Sequence, residues 1–258
     1  METFKITLAY DGTGFVGWQR QAAGTSIQGL LEEVLAKLDQ RAVSVAGAGR
    51  TDAGVHALGQ VASFTLQRSI RSEALVRALN GCLPEAIRVI AAECVADTFH
   101  ARFAATGKTY RYRIWNARVA SPFERAYTWH VVEPLDRRAM ADAAVLLEGP
   151  HDFAAFKAAG GATRSTEREV FSSRISAGLP PGGPASIAYE IAGTGFLHHM
   201  VRTIVGTLVE IGRGRRPVEW MADVLAGRDR TRAGATAPAH GLALVEVAYG
   251  ARSLAARR

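Results

Sequence analysis

Lysine, cysteine and long apolar runs are scarce in this chain, and each shortage narrows what the protein can be. Only four of the 31 basic residues are lysines, so arginine carries nearly all the positive charge. The two cysteines, Cys82 and Cys94, lack the Cys-x-x-Cys spacing of a metal or redox site, which favours a reducing compartment. No run of 18 uncharged apolar residues exists, and the N-terminus lacks the basic and apolar regions of a signal peptide. We therefore expect a soluble, cytoplasmic protein.

Motifs for phosphate and metal binding are also missing. The glycines around Gly47 hint at a dinucleotide fingerprint, but that motif needs a third glycine where this chain has Asp52. It also needs a following helix, whereas residues 61–66 alternate like a strand. His198 and His199 are adjacent, so they do not share one helical face as a zinc-binding pair would. The sequence predicts neither a nucleotide cofactor nor a metal.

The excess of basic residues is the first feature that indicates a binding partner. The chain has 31 Lys and Arg residues against 24 Asp and Glu, a formal net charge of +7, and 258 residues fit one large domain or two smaller ones. Arginines cluster in several places, including residues 213–216 and 228–232. Because the planar guanidinium donates two parallel hydrogen bonds, arginine suits phosphate, and the excess indicates a polyanionic partner such as a nucleic acid.

The first hundred residues alternate between the hydrophobic periods of strands and helices. Strands are predicted at 4–8, 43–46, 61–66 and 86–92, and helices at 27–38 and 72–80, the first of them opened by a Thr25-x-x-Gln28 capping box. The order is βαββαβ. This order is that of the split βαβ, or ferredoxin-like, unit, whose open sheet face often binds RNA.

The second half repeats the pattern with larger insertions. Strands are predicted at 110–115, 170–175, 187–191 and 242–249, and helices at 136–148, 199–211 and from Pro217 to 226, with Gly149 and Gly212 as helix stops. We place the halves at 1–106 and 107–258. Two such α+β halves imply a cleft between their sheets in which a polymer could lie.

Residues 47–60 form a candidate catalytic segment. They place one carboxylate, Asp52, two residues from the guanidinium of Arg50, in a backbone that contains four glycines. Asp and Gly together are also the commonest ingredients of ordinary turns, so a purely structural turn is the alternative interpretation. Glycine lets a large ligand approach the main chain closely. An Asp and an Arg held together in such a segment favour a functional role.

Two further segments carry candidate binding residues. Alternation over residues 108–113 puts Tyr110 and Tyr112 on one sheet face, where an aromatic ring can stack on a base for about 1–3 kcal/mol. For Tyr112 we favour the alternative of plain sheet packing. Arg202 lies in an otherwise largely apolar helix, which is costly without an anionic partner, and Asp52 is a reasonable one.

Two other residues have competing interpretations. His56 follows the Asp52 loop and invites a general-base role, but a hydrogen-bonded structural histidine is favoured because a general base needs demonstrated geometry. Trp18 either packs in the core or touches RNA, and we favour the core.

These segments together resemble the tRNA pseudouridine synthase A family, enzymes that isomerise uridines at positions 38, 39 and 40 of the tRNA anticodon stem-loop. The most specific match is Arg-Thr-Asp-Ala-Gly-Val-His at residues 50–56. Further matches are Tyr-Asp-Gly at 10–12, Gly-Trp-Gln-Arg at 17–20, Phe-His-Ala-Arg-Phe at 99–103, Tyr-Arg-Tyr at 110–112, Phe-Leu-His-His-Met-Val-Arg at 196–202 and Gly-Leu at 241–242. The resemblance covers nearly the whole chain, with a departure at Thr109, where some relatives carry a basic residue.

The resemblance implies a role for each site residue. Asp52 is the catalytic aspartate, Tyr110 packs on the target uracil, Arg202 pairs with Asp52, and Arg50 helps hold the flipped-out nucleotide. Arg102, in the segment at 99–103, is implied to bind substrate. The implied fold is the pseudouridine synthase fold, α+β, with two ferredoxin-like halves around a mixed, mainly antiparallel sheet and a central RNA-binding cleft. Family members act as homodimers that contact tRNA with both subunits.

The chemistry agrees with what the sequence lacks, because an isomerisation needs no redox or phosphoryl transfer and so demands no cofactor. A carboxylate can attack C6 of uracil or C1′, or act as the base that starts a glycal route, and the sequence leaves these routes open. One alternative function is a structured-RNA-binding protein without catalysis. A hydrolase would need a second carboxylate or a metal partner for Asp52, and none stands out.

Overall fold

A computed structural model describes residues 1–160, 163, 165–177 and 185–250. It divides into two compact units, one formed by Met1–Thr106 with the last strand from Ala243 onward, the other by Gly107–Leu242. Five α-helices and ten strands occur in the described parts of the chain, and most strand pairs are antiparallel. The predicted α+β class is confirmed. Within these same parts, no helix combines the length and the apolarity that a membrane span requires.

The first unit has the predicted βαββαβ order. Its elements are β1 (Glu2–Tyr10), α1 (Ile27–Asp39), β2 (Ala46–Gly47), β3 (His56–Leu66), α2 (Ser72–Cys82) and β4 (Ile87–Val95), joined by β10 (Leu242–Tyr249). β1 lies between β4 and β3 and is antiparallel to both. Along the other edge of β3, β2 pairs antiparallel at Ser63 and β10 pairs parallel at His56.

The helices of this unit form because their apolar residues recur at helical spacing. α1 buries Ile27, Leu31 and Leu35, and α2, which packs on β4, buries Leu75 and Leu79. Each stripe faces the core while the opposite face carries the charged residues, as an amphipathic surface helix requires.

Two local predictions in this unit are wrong. The N-cap of α1 is Ser26 rather than Thr25, and its hydroxyl accepts a hydrogen bond from the Gly29 N–H at 3.2 Å. The strand predicted at 43–46 shrinks to Ala46–Gly47, because side chains satisfy the backbone of Val45: its N–H donates to Glu32 and its carbonyl accepts from Gln28. Side-chain partners thereby replace the strand ladder at this position.

The second unit contains the larger insertions. Its elements are β5 (Ala105–Asn116), which enters the unit at Gly107, β6 (Trp129–Val131), α3 (Arg137–Val145), β7 (Gly149–Asp152), β8 (Glu167–Ala177), β9 (Ser186–Gly193), α4 (Met200–Gly212) and α5 (Trp220–Gly227). β5, β9, β8 and β7 pair in that order, all antiparallel, and the short β6 runs parallel to β5. α4 packs against α3, and 11 of its 13 residues are buried.

Two helices of this unit are shorter than predicted, for one physical reason. The helix predicted to reach residue 148 ends at Val145, and the helix predicted from Pro217 begins at Trp220. In the missing turns the N–H groups of Glu148 and Trp220 bond three residues back, to the carbonyls of Val145 and Pro217. These turns are tighter than an α-helix, a frequent form of helix ends that residue periodicity does not distinguish.

Candidate active site

Asp52 lies on the loop that connects β2 to β3. Its side chain is half-buried, that of Arg50 is exposed, and the backbone turns at Asp52, whose carbonyl accepts a hydrogen bond from Val55 N–H at 3.1 Å. Gly54 supplies the left-handed backbone conformation of this turn, with φ of +74°. The loop thus carries a half-buried carboxylate and an exposed guanidinium two residues apart.

Two N-terminal glycines support this loop through direct backbone contact. Trp18 N–H donates to the carbonyl of Thr51 at 3.0 Å, and Gly17, with φ of +102°, lies so close that an added Cβ would be 2.5 Å from that oxygen. A Cβ on Gly12 would collide with the carbonyl of Val55. Because only glycine permits these approaches, the segments at 10–12 and 17–20 hold both ends of the Asp52 turn.

A buried polar network lies beneath the loop. The Tyr10 hydroxyl shares a 2.8 Å hydrogen bond with Thr51, and Gln60 donates to the Gly49 carbonyl at 2.9 Å and more weakly to Tyr10 at 3.4 Å. Burial raises the pKa of Tyr10 to about 12, so its hydroxyl stays protonated and neutral. A satisfied buried network of this kind fixes the backbone that leads into Asp52.

Trp18 lies in the core of this unit, as favoured, and His56 is buried and hydrogen-bonded, as its favoured structural interpretation expects. His56 is buried and its Nδ1 accepts a hydrogen bond from Gly12 N–H at 3.0 Å, beside the carboxylate of Asp11 at 3.1 Å. Trp18 is 2% exposed, and its indole packs where a Cβ on Gly47 would otherwise lie. Both side chains hold the glycine-rich segments in place.

Arg102 lies in the turn after β4, in the same unit as Asp52. The turn is anchored through Ala101, whose N–H donates to Ser63 at 3.0 Å and whose carbonyl accepts from the Tyr249 hydroxyl at 2.8 Å. Arg102 itself is exposed, with its guanidinium 5.9 Å from the ring of Phe103, which is 78% exposed. A cation beside an exposed ring is chemistry suited to a nucleobase.

Tyr110 lies on β5 in the second unit. Its ring is 8% exposed and meets Phe196 edge to face, with 5.2 Å between centroids. Tyr112, two residues along, is fully buried and donates to the carbonyl of Pro238 at 2.8 Å. Burial raises the pKa of Tyr112 well above its usual value. The structural interpretation of Tyr112 is confirmed.

Arg202 lies in the first turn of α4, half-buried among apolar neighbours. Its Nε donates to the carbonyl of Ala237 at 2.8 Å, and Ala237 N–H donates back to the Arg202 carbonyl at 3.1 Å. These two hydrogen bonds between Arg202 and Ala237 fix the position of Nε. α4 begins after His199, which has φ of +59° and stacks on His198 with 3.9 Å between ring centroids.

The predicted site residues therefore fall into two groups. Arg50, Asp52 and Arg102 belong to the first unit, with the first two on one loop, and Tyr110 and Arg202 belong to the second. Sequence reasoning assigned no role to the supports of the loop, which are Gly12, Gly17, Tyr10, Thr51 and Gln60. The glycines in the 10–12 and 17–20 segments were a signal for special backbone positions, but not for the loop that they contact.

Comparison with known proteins adds an independent result. The family model described as tRNA pseudouridine synthase matches residues 6–104 and 143–250. The chain is 49% identical over 249 residues to the tRNA pseudouridine synthase A of Myxococcus xanthus, covering 96% of this chain and 92% of the relative. It is 48% identical to the proteins of that name from Syntrophotalea carbinolica and Moorella thermoacetica, with 96% of this chain and 97% and 100% of theirs covered. Residues 105–142, Tyr110 among them, lie between the two ranges that the model matches.

Proposed function

Because this chain belongs to the tRNA pseudouridine synthase family, a family of isomerases, we propose that it converts uridine to pseudouridine at positions 38, 39 and 40 of the tRNA anticodon stem-loop, with Asp52 as the nucleophile. The reaction breaks the C1′–N1 bond, turns the uracil, joins C1′ to C5, releases the C5 proton and adds a proton to N1. Product and substrate are isomers, so no oxidant, reductant or phosphoryl donor enters the balance.

One observation carries the role of Asp52. Asp52 is only half-buried, while the backbone on both sides is fixed by the contacts of Gly12 and Gly17 and by the network of Tyr10. A nucleophile must be held in attack geometry and still be reachable, and a rigid loop provides both. Attack at C6, attack at C1′ and abstraction of a proton for a glycal route all use this one carboxylate.

The other site residues are proposed to hold the nucleotide. Arg50 and Arg102, both exposed, contact RNA phosphates; Tyr110 stacks on the target uracil; Arg202 pairs with Asp52. Removing the uridine from its stack costs a few kcal/mol, which these contacts offset. Tyr110 suits the task because its ring is already held by Phe196, so little side-chain freedom is lost on binding.

The decisive experiment measures release of tritium from tRNA that carries [5-³H]uridine. The wild-type protein should release tritium to water without any added cofactor. Asp52→Asn should lower the rate by about a thousandfold or more, as expected for loss of a nucleophile, while the dissociation constant for tRNA stays near that of the wild type. The matched control is Asp142→Asn, which neutralises an exposed carboxylate on α3 outside the proposed site and should leave the rate unchanged.

The same assay decides between catalysis and the alternative of RNA binding alone. A binding protein would retain tRNA but release no tritium in its wild-type form. Transfer RNAs with a single uridine among positions 38, 39 and 40 then test the proposed position range, since each should yield one equivalent of tritium. Wild-type release from a tRNA with cytidine at all three positions would refute the proposed specificity.

We also propose that the protein is a cytoplasmic homodimer. The dimer follows from the family resemblance, and a reducing compartment is supported by Cys82 and Cys94, which are both exposed and unpaired. Sedimentation equilibrium should give twice the chain mass of 27.6 kDa. A monomer that modifies tRNA at the full rate would refute the dimer without touching the catalytic assignment.

A further inference from the structure

A cavity of about 240 Å³ opens in the second unit, and none of the residues assigned to the reaction lines it. Its walls include Trp115, Trp129, His130, His240, Thr128 and Arg125. The volume falls below the roughly 300–1,000 Å³ of pockets for drug-sized ligands, so it suits a group of one or two rings. Four aromatic rings and one guanidinium in so small a space favour a flat ligand that carries a negative charge.

Three of the ring walls are fixed by hydrogen bonds to the segment 117–128, which connects β5 to β6. The ring N–H groups donate to its carbonyls: Trp115 Nε1 to Val119 at 2.9 Å, His130 Nε2 to Ala117 at 2.8 Å and His240 Nε2 to Thr128 at 3.1 Å. Since a carbonyl oxygen only accepts, each of these nitrogens carries its hydrogen.

The fourth ring, Trp129, packs against Tyr112 edge to face, with 6.4 Å between the ring centroids. All four walls are therefore in place before any ligand arrives. A preformed aromatic pocket loses little side-chain freedom on binding, which raises affinity for a ligand of matching shape.

The charge around the cavity is positive. Segment 117–128 has three charged side chains, and its only carboxylate, Glu124, is buried and ion-paired with Arg113. Arg118 and Arg125 are exposed, and within the described parts of the chain neither forms a hydrogen bond or an ion pair through its side chain. Two unneutralised guanidinium groups, one of them, Arg125, in the lining of an aromatic cavity, match the phosphate and the base of a nucleotide.

The segment that carries these two arginines also exposes apolar side chains. Phe123 is 87% exposed and Val119 78% exposed, both on segment 117–128 between the two arginines. An exposed aromatic side chain between two arginines fits a surface that binds unpaired nucleic acid, where a base stacks on the ring and a phosphate meets a cation.

We propose that this cavity binds one unpaired nucleotide of the tRNA other than the uridine that reacts, with the base between the rings and its phosphate on Arg125. The proposal rests on the proposed function, since it takes tRNA as the substrate. A free nucleoside monophosphate presents the same chemistry, so the test must separate the two sources.

The test measures tRNA binding by the Asp52→Asn protein, which does not turn over its substrate, at several salt concentrations. Adding Trp115→Leu should weaken binding roughly tenfold through loss of one stacking ring. Adding Arg125→Gln should reduce the slope of log Kd against log salt by about one, the signature of one lost phosphate contact. Arg125 is exposed, so this variant keeps the proposal falsifiable even if Trp115→Leu does not fold.

The charge-matched control is Arg138→Gln, which removes an exposed arginine from α3 of the same unit outside the cavity and should leave the slope unchanged. An equal loss of slope in this control would overturn the site, because net charge would explain the effect. Adenosine or uridine monophosphate should displace tRNA only weakly. A free nucleotide that binds the cavity tightly and is not displaced by tRNA would overturn the RNA assignment.

Two further outcomes separate this proposal from others. If the cavity variants keep their tRNA affinity and salt slope but sediment as monomers, the surface is a protein interface and the proposal is wrong. In the background with Asp52 intact, the variants should raise KM and leave kcat unchanged. Absence of tritium release from the wild type would count against the proposed function, whereas full release with unchanged KM in the variants would count against the cavity.

Discussion

The Asp52 loop in the first unit and α4 in the second hold their site residues in opposite ways. The loop has irregular backbone, and glycine contacts and a buried polar network keep it in place. α4 is regular, and the packing of its 11 buried residues keeps it in place. The loop leaves Asp52 partly exposed and depends on a few close backbone contacts. The helix holds one polar side chain, Arg202, and depends on the close packing of its buried residues.

The largest expected effect tests how strictly α4 is packed. A Cβ on Gly206, in the middle of α4, would collide with the backbone carbonyl of Ala235. Gly206→Ala should lower the free energy of unfolding by at least about 4 kcal/mol, because a backbone neighbour cannot rotate away. The matched control is Gly81→Ala in α2 of the first unit, where no atom lies within 4 Å. It should stabilise the protein by about 0.5 kcal/mol, as an added helix former does. Urea unfolding measures both.

The next effect tests the dependence of the Asp52 loop on glycine. Gly17 and Gly14 both have positive φ, but only at Gly17 would a Cβ meet a neighbour, the Thr51 carbonyl. Gly14→Ala should cost about 1 kcal/mol of strain and preserve the rate of tritium release. Gly17→Ala should cost about 3 kcal/mol and lower kcat about a hundredfold, because Thr51 moves and displaces Asp52. Equal kinetics for the two variants would show that the loop tolerates the shift.

Two tyrosines on β5 allow a finer test in the second unit. Tyr112→Phe loses the buried hydrogen bond to Pro238 and should destabilise the protein by about 1 kcal/mol without changing the kinetics. Tyr110→Phe keeps the stacking ring and should keep most of the activity, whereas Tyr110→Ala should raise KM roughly tenfold. Steady-state tritium release separates these outcomes. A large loss of kcat in Tyr110→Phe would assign a role to the hydroxyl and contradict simple stacking.

The smallest effect concerns Asp39, a carboxylate of the first unit that is outside the proposed site. Burial of Asp39 opposes its ionisation, but the N–H groups of Arg68 and Gln67 and the charge of Arg41 outweigh this and lower its pKa below the usual 3.8. A lowered folded-state pKa stabilises the protein above about pH 4, and this contribution disappears as the pH falls through the folded value. Asp39→Asn should lower stability at neutral pH and flatten the decline below pH 4. Unfolding curves over that range would contradict the assignment if the two proteins declined in parallel.

Periodicity identified the regular elements because strands and helices differ in the spacing of their buried residues. Strand β10 was predicted at its observed bounds, and the βαββαβ order of the first unit is correct. Helix ends were less accurate, as the tightened turns after Val145 and before Trp220 demonstrate. In those turns each N–H bonds to the carbonyl three residues back rather than four. This difference leaves the spacing of apolar residues unchanged, so periodicity does not reveal it.

The sequence by itself determined the family, the α+β class and the burial of Trp18 and Tyr112, because each depends on residue type and local spacing; the role of Asp52 stays a prediction. Only the tertiary structure decided what holds Asp52 in place. Gly12 and Gly17 lie 35 or more residues before it along the chain, yet their missing side chains permit the backbone contacts that fix the loop. Such close approaches arise from the packing of distant segments, and no local pattern of residues specifies which two backbones will meet.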